Sequence, residues 1–253
     1  MFSPPLVLAS LSGNSDAAWA RAGSASAGGA ILGGVALDAP ARDAARDLVA
    51  RGREEFLPAD PLAFLERELA VLEDCPISAG VNVRSSTVGP VVEAARLCRD
   101  RETLLEINAH CRQPELRAVG CGETLLSDEA RLSEYVERAA ATGATVGVKV
   151  RAEVPGVDLP ALAGTLAAAG ATYIHVDAMD SEAVVGEVAA ASDLYLIANN
   201  GVRDEATIRE YLDYGADAVS VGRPSEDPAA LARIRRALES VLDSSAAARE
   251  PQR

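Results

Sequence analysis

The chain has 253 residues, an apolar share of 49% and a formal net charge of −14, enough apolar material to fill the core of one large domain. No apolar run reaches the ~20 residues that span a bilayer, and no basic stretch followed by an apolar run opens the chain, so a cytoplasmic protein is the expectation. The acidity argues against tight nonspecific binding of nucleic acid, which works by neutralising phosphates; it equally suits a halophilic protein whose long-range charge effects are screened by salt, so an RNA substrate stays open.

Eight short apolar runs read as strands, at residues 6–10, 29–34, 77–83, 104–109, 145–151, 173–178, 194–200 and 218–222. Their nearly continuous apolarity marks strands covered on both faces, as in a parallel sheet. Between them lie alanine-rich, amphipathic stretches with helix starts. Asp60-Pro61 opens a helix to about residue 73, and Ser127-Asp128 opens another to about residue 141. Asp158, Ser181, Asp204 and Asp227-Pro228 are further N-cap candidates. Gly143, Gly170 and Gly215 follow helical patterns and read as C-terminal caps. Residues 39–60 look like a longer insertion after the second strand. Such alternation defines an α/β fold of the (β/α)8 TIM barrel type. A single domain is expected over residues 1–243, followed by a flexible tail over 244–253.

In such barrels the functional groups gather at the C-terminal ends of the strands. Those ends are polar here: Asn82 and Arg84, Glu106 and Asn108 with His110 and Cys111, Lys149 and Arg151, His175 and Asp177, Asn199-Asn200-Gly201, and Gly222-Arg223. Residues two apart on a strand share a face. Inward polar groups must satisfy one another or meet a polar ligand, because each orphan costs about 1–3 kcal/mol. Lys149 stands out as the single lysine of the chain, the other 23 of its 24 Lys and Arg residues being arginine. An ammonium is a compact, rotatable donor that a guanidinium does not replace. Glu106 is placed to pair with Lys149 across adjacent strands, and His175, one layer below Asp177, reads as a satisfied core histidine. The loops after the last two strands carry glycines that let backbone N–H groups approach an anion, with Arg223 adding a forked contact. The four cysteines, Cys75, Cys98, Cys111 and Cys121, form no CxxC pair, so no metal site is expected. Cys98 and Cys121 read as structural.

Six motifs, in order, resemble the dihydrouridine synthase family. Residues 5–16, including Leu8-Ala9-Ser10-Leu11, resemble its "LAPMAGVTD" opening. Glu106-Ile107-Asn108-Ala109-His110-Cys111 resembles "INxGCP", and Gly120-Cys121-Gly122-Glu123-Thr124-Leu125-Leu126 resembles "GxGxxLL". Val148-Lys149-Val150-Arg151 resembles "VKxR", Asn199-Asn200-Gly201-Val202 resembles "NGGI", and Gly222-Arg223 resembles "GR". The resemblance spans residues 5–230 and has the look of an archaeal branch.

The resemblance implies an FMN-dependent oxidoreductase with NADPH or NADH as reductant, moving hydride between FMN and a pyrimidine ring, in that family a uridine of tRNA. It implies that Lys149 meets the flavin ring, while Asn199, Asn200, Gly201, Gly222 and Arg223 serve its phosphate side. Ser10 and Arg151 belong to the same cofactor set. Asn82 falls where the family has a flavin-contacting glutamine, and Asn108 where an asparagine meets the base. Cys111 falls on the general acid, a role suited to a thiol of tunable pKa. The chain also departs from the pattern. His110 replaces the glycine before the cysteine, Arg112 the proline after it, and Asp177 stands where the family has a histidine. His110 and Asp177 are therefore candidate catalytic groups. The family's C-terminal helical domain, which holds tRNA, has no counterpart in the sequence. A free small heterocycle is thus an alternative substrate, as for dihydroorotate or dihydropyrimidine dehydrogenases. A flavin- or phosphate-binding barrel without catalysis is a further alternative.

Overall fold

The computed structural model describes residues 1–249. Eight parallel strands close in sequence order into a barrel: β1 (Leu6–Leu8), β2 (Gly29–Ala36), β3 (Ser78–Arg84), β4 (Leu104–Asn108), β5 (Thr145–Arg151), β6 (Tyr173–Asp177), β7 (Tyr195–Asn199) and β8 (Ala218–Val221). β8 pairs with β1 to complete the ring. The helices α1 (Ala17–Gly23), α2 (Ala39–Ala50), α3 (Pro61–Val71), α4 (Val88–Asp100), α5 (Pro114–Ala118), α6 (Glu123–Leu126), α7 (Glu129–Ala140), α8 (Leu159–Ala168), α9 (Val184–Ala191), α10 (Glu205–Asp213) and α11 (Pro228–Arg249) lie in the connections and after β8. Among the described residues no helix is long and apolar enough to cross a membrane.

Six helices start in the same chemical way. Asp16, Asp38, Asp60, Asp128, Asp158 and Asp204 each accept a hydrogen bond from the backbone N–H three residues on. Each side chain satisfies an orphan donor and places negative charge at the positive end of the helix dipole. Ser181 does not cap a helix. Its hydroxyl donates to Glu153 at 2.8 Å, and α9 begins after Ala183 without a side-chain cap. The stretch at 39–60, expected to be a longer insertion after the second strand, contains α2, started by Asp38 and Pro40. Gly143, Gly170 and Gly215 do end helices, with φ of +86°, +97° and +97°, a left-handed backbone open to glycine at little strain. Helix α11 continues through Arg249, past the Ser244 boundary expected for a tail, and residues 250–253 lie outside the described residues.

The pleat sorts each strand into two sets. One set, including Leu32, Val81, Ile107, Val148, Val176 and Leu196, faces outward into a large apolar layer shared with the helices. The alternate residues point into the barrel. At its N-terminal end they form an apolar floor of Phe2, Val7, Ile31, Leu104, Tyr173 and Ile197, with Ala218. Gly147 leaves room there for the Tyr173 ring: a Cβ at Gly147 would lie 2.2 Å from it. One layer higher the interior turns polar.

Candidate active site

The middle layer is a continuous hydrogen-bonded belt. Glu106, on β4, is fully buried and accepts from Asn82 Nδ2 at 2.7 Å. His175 Nδ1 meets its other carboxylate oxygen at 2.7 Å, and His175 Nε2 meets Ser220 Oγ at 2.7 Å. Asn199 Nδ2 donates to the same Ser220 hydroxyl at 2.7 Å. At the other end, Asn108 Nδ2 donates to Asn82 Oδ1 at 2.8 Å. The belt therefore runs from β4 through β3, β6 and β8 to β7.

Burial, then the Lys149 ammonium, holds His175 below its ordinary pKa. The neutral ring donates from Nδ1, since a carboxylate can only accept, and its Nε2 accepts from Ser220. Burial pushes the Glu106 carboxyl up, but His175, Lys149 and the Asn82 amide outweigh it and hold Glu106 below the usual range. The bond between Glu106 and His175 is thus a charge-assisted hydrogen bond donated by a neutral imidazole to a carboxylate. The expected Glu106–Lys149 pair is replaced by this one. The register sets Glu106 opposite Gly147, while Lys149 stands between Asn108 and His175 one layer above. The expectation for His175, a satisfied core histidine, holds.

Above the belt, the C-terminal mouth opens into two adjoining cavities. The larger, about 460 Å³, has Lys149 and Asp177 on its wall, with Ser10 and Asn199. Asn200, Gly201, Gly222 and Arg223 border it on the side of β7 and β8, together with Arg203, which sequence reading did not single out. The smaller, about 200 Å³, is bounded by Asn108, Cys111, Arg84 and Arg151, with Arg53 and Gln113 at its edge. Ser10, His110, Arg112 and Asp177 line both cavities.

Lys149 is 3% exposed. Among the described residues no hydrogen bond engages its ammonium, and burial lowers its pKa against the pull of Glu106 and Asp177. The turn after β7 is built from two successive left-handed residues, Asn200 at φ +85° and Gly201 at φ +67°. A Cβ on Gly201 would meet nothing within 4 Å, so this turn is open to the cavity. A 3₁₀ turn, Arg223–Glu226, follows β8, beside the β7 loop. Loops after the seventh and eighth strands with a short extra helix are the usual phosphate cradle of such barrels. A volume of 460 Å³ lies within the ~300–1,000 Å³ of small-molecule sites.

Three of the candidate residues make bonds that the sequence did not reveal. Asn82 lies beneath the cavities, with no exposure and both ends of its amide bonded within the belt. Asn108 reaches the smaller cavity, but its Oδ1 accepts from the backbone N–H of His110 at 3.4 Å and of Cys111 at 3.2 Å. It therefore sets the loop that presents Cys111. Arg151 lines the smaller cavity and is ion-paired with Glu123 of α6, a partner that sequence alone did not reveal.

The thiols differ. Cys111 is 9% exposed on the cavity wall, whereas Cys121 is buried behind it and pushed up to about 12 by burial. Cys98 is enclosed between α4 and β4, and burial pushes it up to about 12 as well. His110 is held well below its ordinary value by burial and by the cationic Lys149 and Arg84. Arg84, 4% exposed, pairs with Glu55 at 2.7 Å and bonds the Ser12 hydroxyl, tying the segment after α2 to the loop after β1.

No family model matches the chain. It is 26% identical over 193 residues to the uncharacterized protein MJ0144 of Methanocaldococcus jannaschii, covering 71% of this chain and 73% of that protein. Among solved structures it is similar to DHODH of Eimeria tenella, in complex with ferulenol, with a TM-score of 0.73 and 14% identity over 96% of this chain and 82% of that one. It is also similar to FabK (M276A) of Thermotoga maritima, with a TM-score of 0.57 and 16% identity over 86% of this chain. The chain spans 60% of that FabK's length. At these identities the shared property is the barrel fold.

Proposed function

We propose that this chain is an FMN-dependent oxidoreductase of the dihydrouridine-synthase-like type, acting on a pyrimidine ring, with NADPH or NADH as reductant. The observation that carries the reading is the contrast at Lys149. Every polar group in the belt below it is bonded, yet this buried ammonium is not, and it faces a cavity of ligand size. A buried cation without a partner is the place for an electron-rich ring or an anion.

The residues present fit the cofactor. Lys149 would hold the flavin ring, and Asn199, Asn200, Gly201, Gly222 and Arg223 would hold the phosphate, joined by Arg203. Bound FMN would supply hydride exchange with a ring carbon. The chain's own groups then divide the remaining work. Cys111 holds a proton at Sγ on the wall of the smaller cavity, where the substrate ring would lie beside the flavin. Asn108 orients the Cys111 loop through its backbone bonds. His110 and Asp177 stand on the shared wall, where a neutral imidazole and a carboxylate can hand a proton between the two cavities.

Purified protein is expected to be yellow and to carry FMN, released on denaturation and identified by mass spectrometry. Lys149→Ala should weaken FMN retention tenfold or more; retention equal to wild type would remove the reading of that residue. Reduced protein should be reoxidised by a pyrimidine, and Cys111→Ala should slow that step on the order of 10²-fold, as for loss of a positioned acid. Absence of any reoxidation would favour the non-catalytic barrel. Loss of dihydrouridine from the tRNA of a deletion strain would identify tRNA as the carrier of the ring; unchanged dihydrouridine would leave the free heterocycle.

A further inference from the structure

We infer that the smaller cavity is an anion-selecting substrate chamber, and that the ring it admits carries a carboxylate on a small free molecule. The inference rests on the flavin reading only for assigning the larger cavity to the cofactor. The chamber's composition is the first observation. Arg53, Arg84, Arg112 and Arg151 come from the segment after α2, the end of β3, the loop after β4 and the end of β5, and converge on one space. Only Asp177 faces them as a carboxylate on the same wall. Glu55 and Glu123 stand behind: Glu55 holds Arg84, and Glu123 holds Arg151 and also pairs with Arg117 at 3.3 Å. Arg53 and Arg112 form no ion pair among the described residues and are exposed at the edge.

Orphaned donors are the second observation. Nε of Arg84 and Nε of Arg151 are buried without a hydrogen-bond partner. Arg84 Nε packs against Gly34, where an added Cβ would lie 2.8 Å from it. The Arg151 guanidinium lies on the chamber wall with only one nitrogen held by Glu123. Its Nη2 makes no hydrogen bond among the described residues and is the donor left for an anion in the chamber.

Third, the local sign opposes the global one. The chain carries −14 overall, yet this chamber gathers four guanidiniums against three carboxylates. A polyanion such as tRNA feels the whole acidic surface. A small monoanion inside the chamber feels chiefly the charges within about a Debye length, ~10 Å at 0.1 M salt. The volume of about 200 Å³ suits one substituted ring. His110 and Arg112, the departures from the "INxGCP" pattern, both line it, so this chain's own residues build the selectivity.

The test uses the purified full chain and three probes with one ring: uracil-6-carboxylate, uracil-6-carboxamide and uracil. Binding is read by titration calorimetry on protein with and without added FMN, so that it does not depend on turnover. The carboxylate should bind at least tenfold more tightly than the isosteric amide. Arg112→Gln should remove most of that ratio by weakening carboxylate binding. Arg112 is exposed, so this variant should fold; Arg53→Gln is the second variant and should act in the same direction. Equal affinity for carboxylate and amide, or a ratio unmoved by both variants, overturns the inference. So does a tRNA transcript that displaces the carboxylate at a concentration below that of free carboxylate needed for half-saturation. Carboxylate preference in protein that binds no FMN would sustain the chamber and overturn the flavin reading. FMN bound without carboxylate preference would do the reverse.

Discussion

The belt and the cavity wall above it use similar residues to opposite ends. In the belt, Asn82, Glu106, His175, Ser220 and Asn199 bond one another in an unbroken series. Lys149, in register between Asn108 and His175, has no such partner, and Arg151, one layer higher, is satisfied at one edge only. The difference teaches that polarity at the top of this barrel is of two kinds. The lower kind substitutes for apolar packing and fixes the shape of the interior. The upper kind faces the cavities and is not closed by protein partners.

The largest expected effect lies in the belt. Glu106→Ala leaves the His175 Nδ1–H and an Asn82 amide hydrogen without acceptors in a place closed to solvent. Two charge-assisted bonds and a side chain are lost, and the cost should reach about 3–5 kcal/mol in urea unfolding. A loss under about 1 kcal/mol would mean the belt is not the support described here. Next comes the floor. Gly147→Ala drives a methyl into the Tyr173 ring, which is fully buried and bonded through its hydroxyl to the Leu105 carbonyl at 3.2 Å. Overpacking of this kind should cost about 1–3 kcal/mol. The melting temperature checks it; an unchanged value would show that the ring has somewhere to move.

Much of the barrel was legible because parallel strands and helix starts are local signals. The β5 limits, the Asp caps at Asp60, Asp128, Asp158 and Asp204, and the three glycine stops can all be read from a few neighbouring residues. Helix α2 lies within the stretch read only as an insertion, although Asp38-Ala39-Pro40 carries the same start signal as the other helices. The short helices α5 and α6 were missed for lack of periodicity over so few residues. At the site, the strand-end positions were visible from period-two alternation, but partners across the barrel were not. Glu106 was assigned to Lys149 because the two looked adjacent; the true partner, His175, is 69 residues away and set by register. Arg84 with Glu55 and Arg151 with Glu123 are long-range pairs of the same sort, invisible to any local pattern.

Acid should act on the belt and on the cavity wall alike. His175 and His110 are both held below 6.5, so below that pH the unfolded chain takes up protons that the folded chain resists. Stability must then rise with pH between the folded values and 6.5, and fall on acidification. Glu106 acts in the same direction lower down: with its folded pKa below 4.5, its contribution is present above 4.5 and lost as pH falls through the folded value. Urea unfolding from pH 7 to pH 5 should show the first decline. His110→Asn should flatten part of it while leaving the belt intact. A slope unchanged by that substitution would assign the whole decline to His175.

The smallest stability effect should come from the residue that matters most to the cavity. Lys149→Met removes an ammonium that burial disfavours and that no hydrogen bond repays, keeping a side chain of similar length. The attraction of Glu106 and Asp177 is lost, and the desolvation of the charge is relieved. These terms oppose each other, so the change should stay within about 1 kcal/mol at pH 7, where an equivalent cut in the belt costs several times more. The pH dependence separates the cases. The folded pKa of Lys149 lies below 10.5, so the wild type gains stability as pH rises from that folded value toward 10.5, and the variant should lack that gain. A loss as large as that of Glu106→Ala would show that Lys149 belongs to the belt, and the division between a completed layer and a waiting one would disappear.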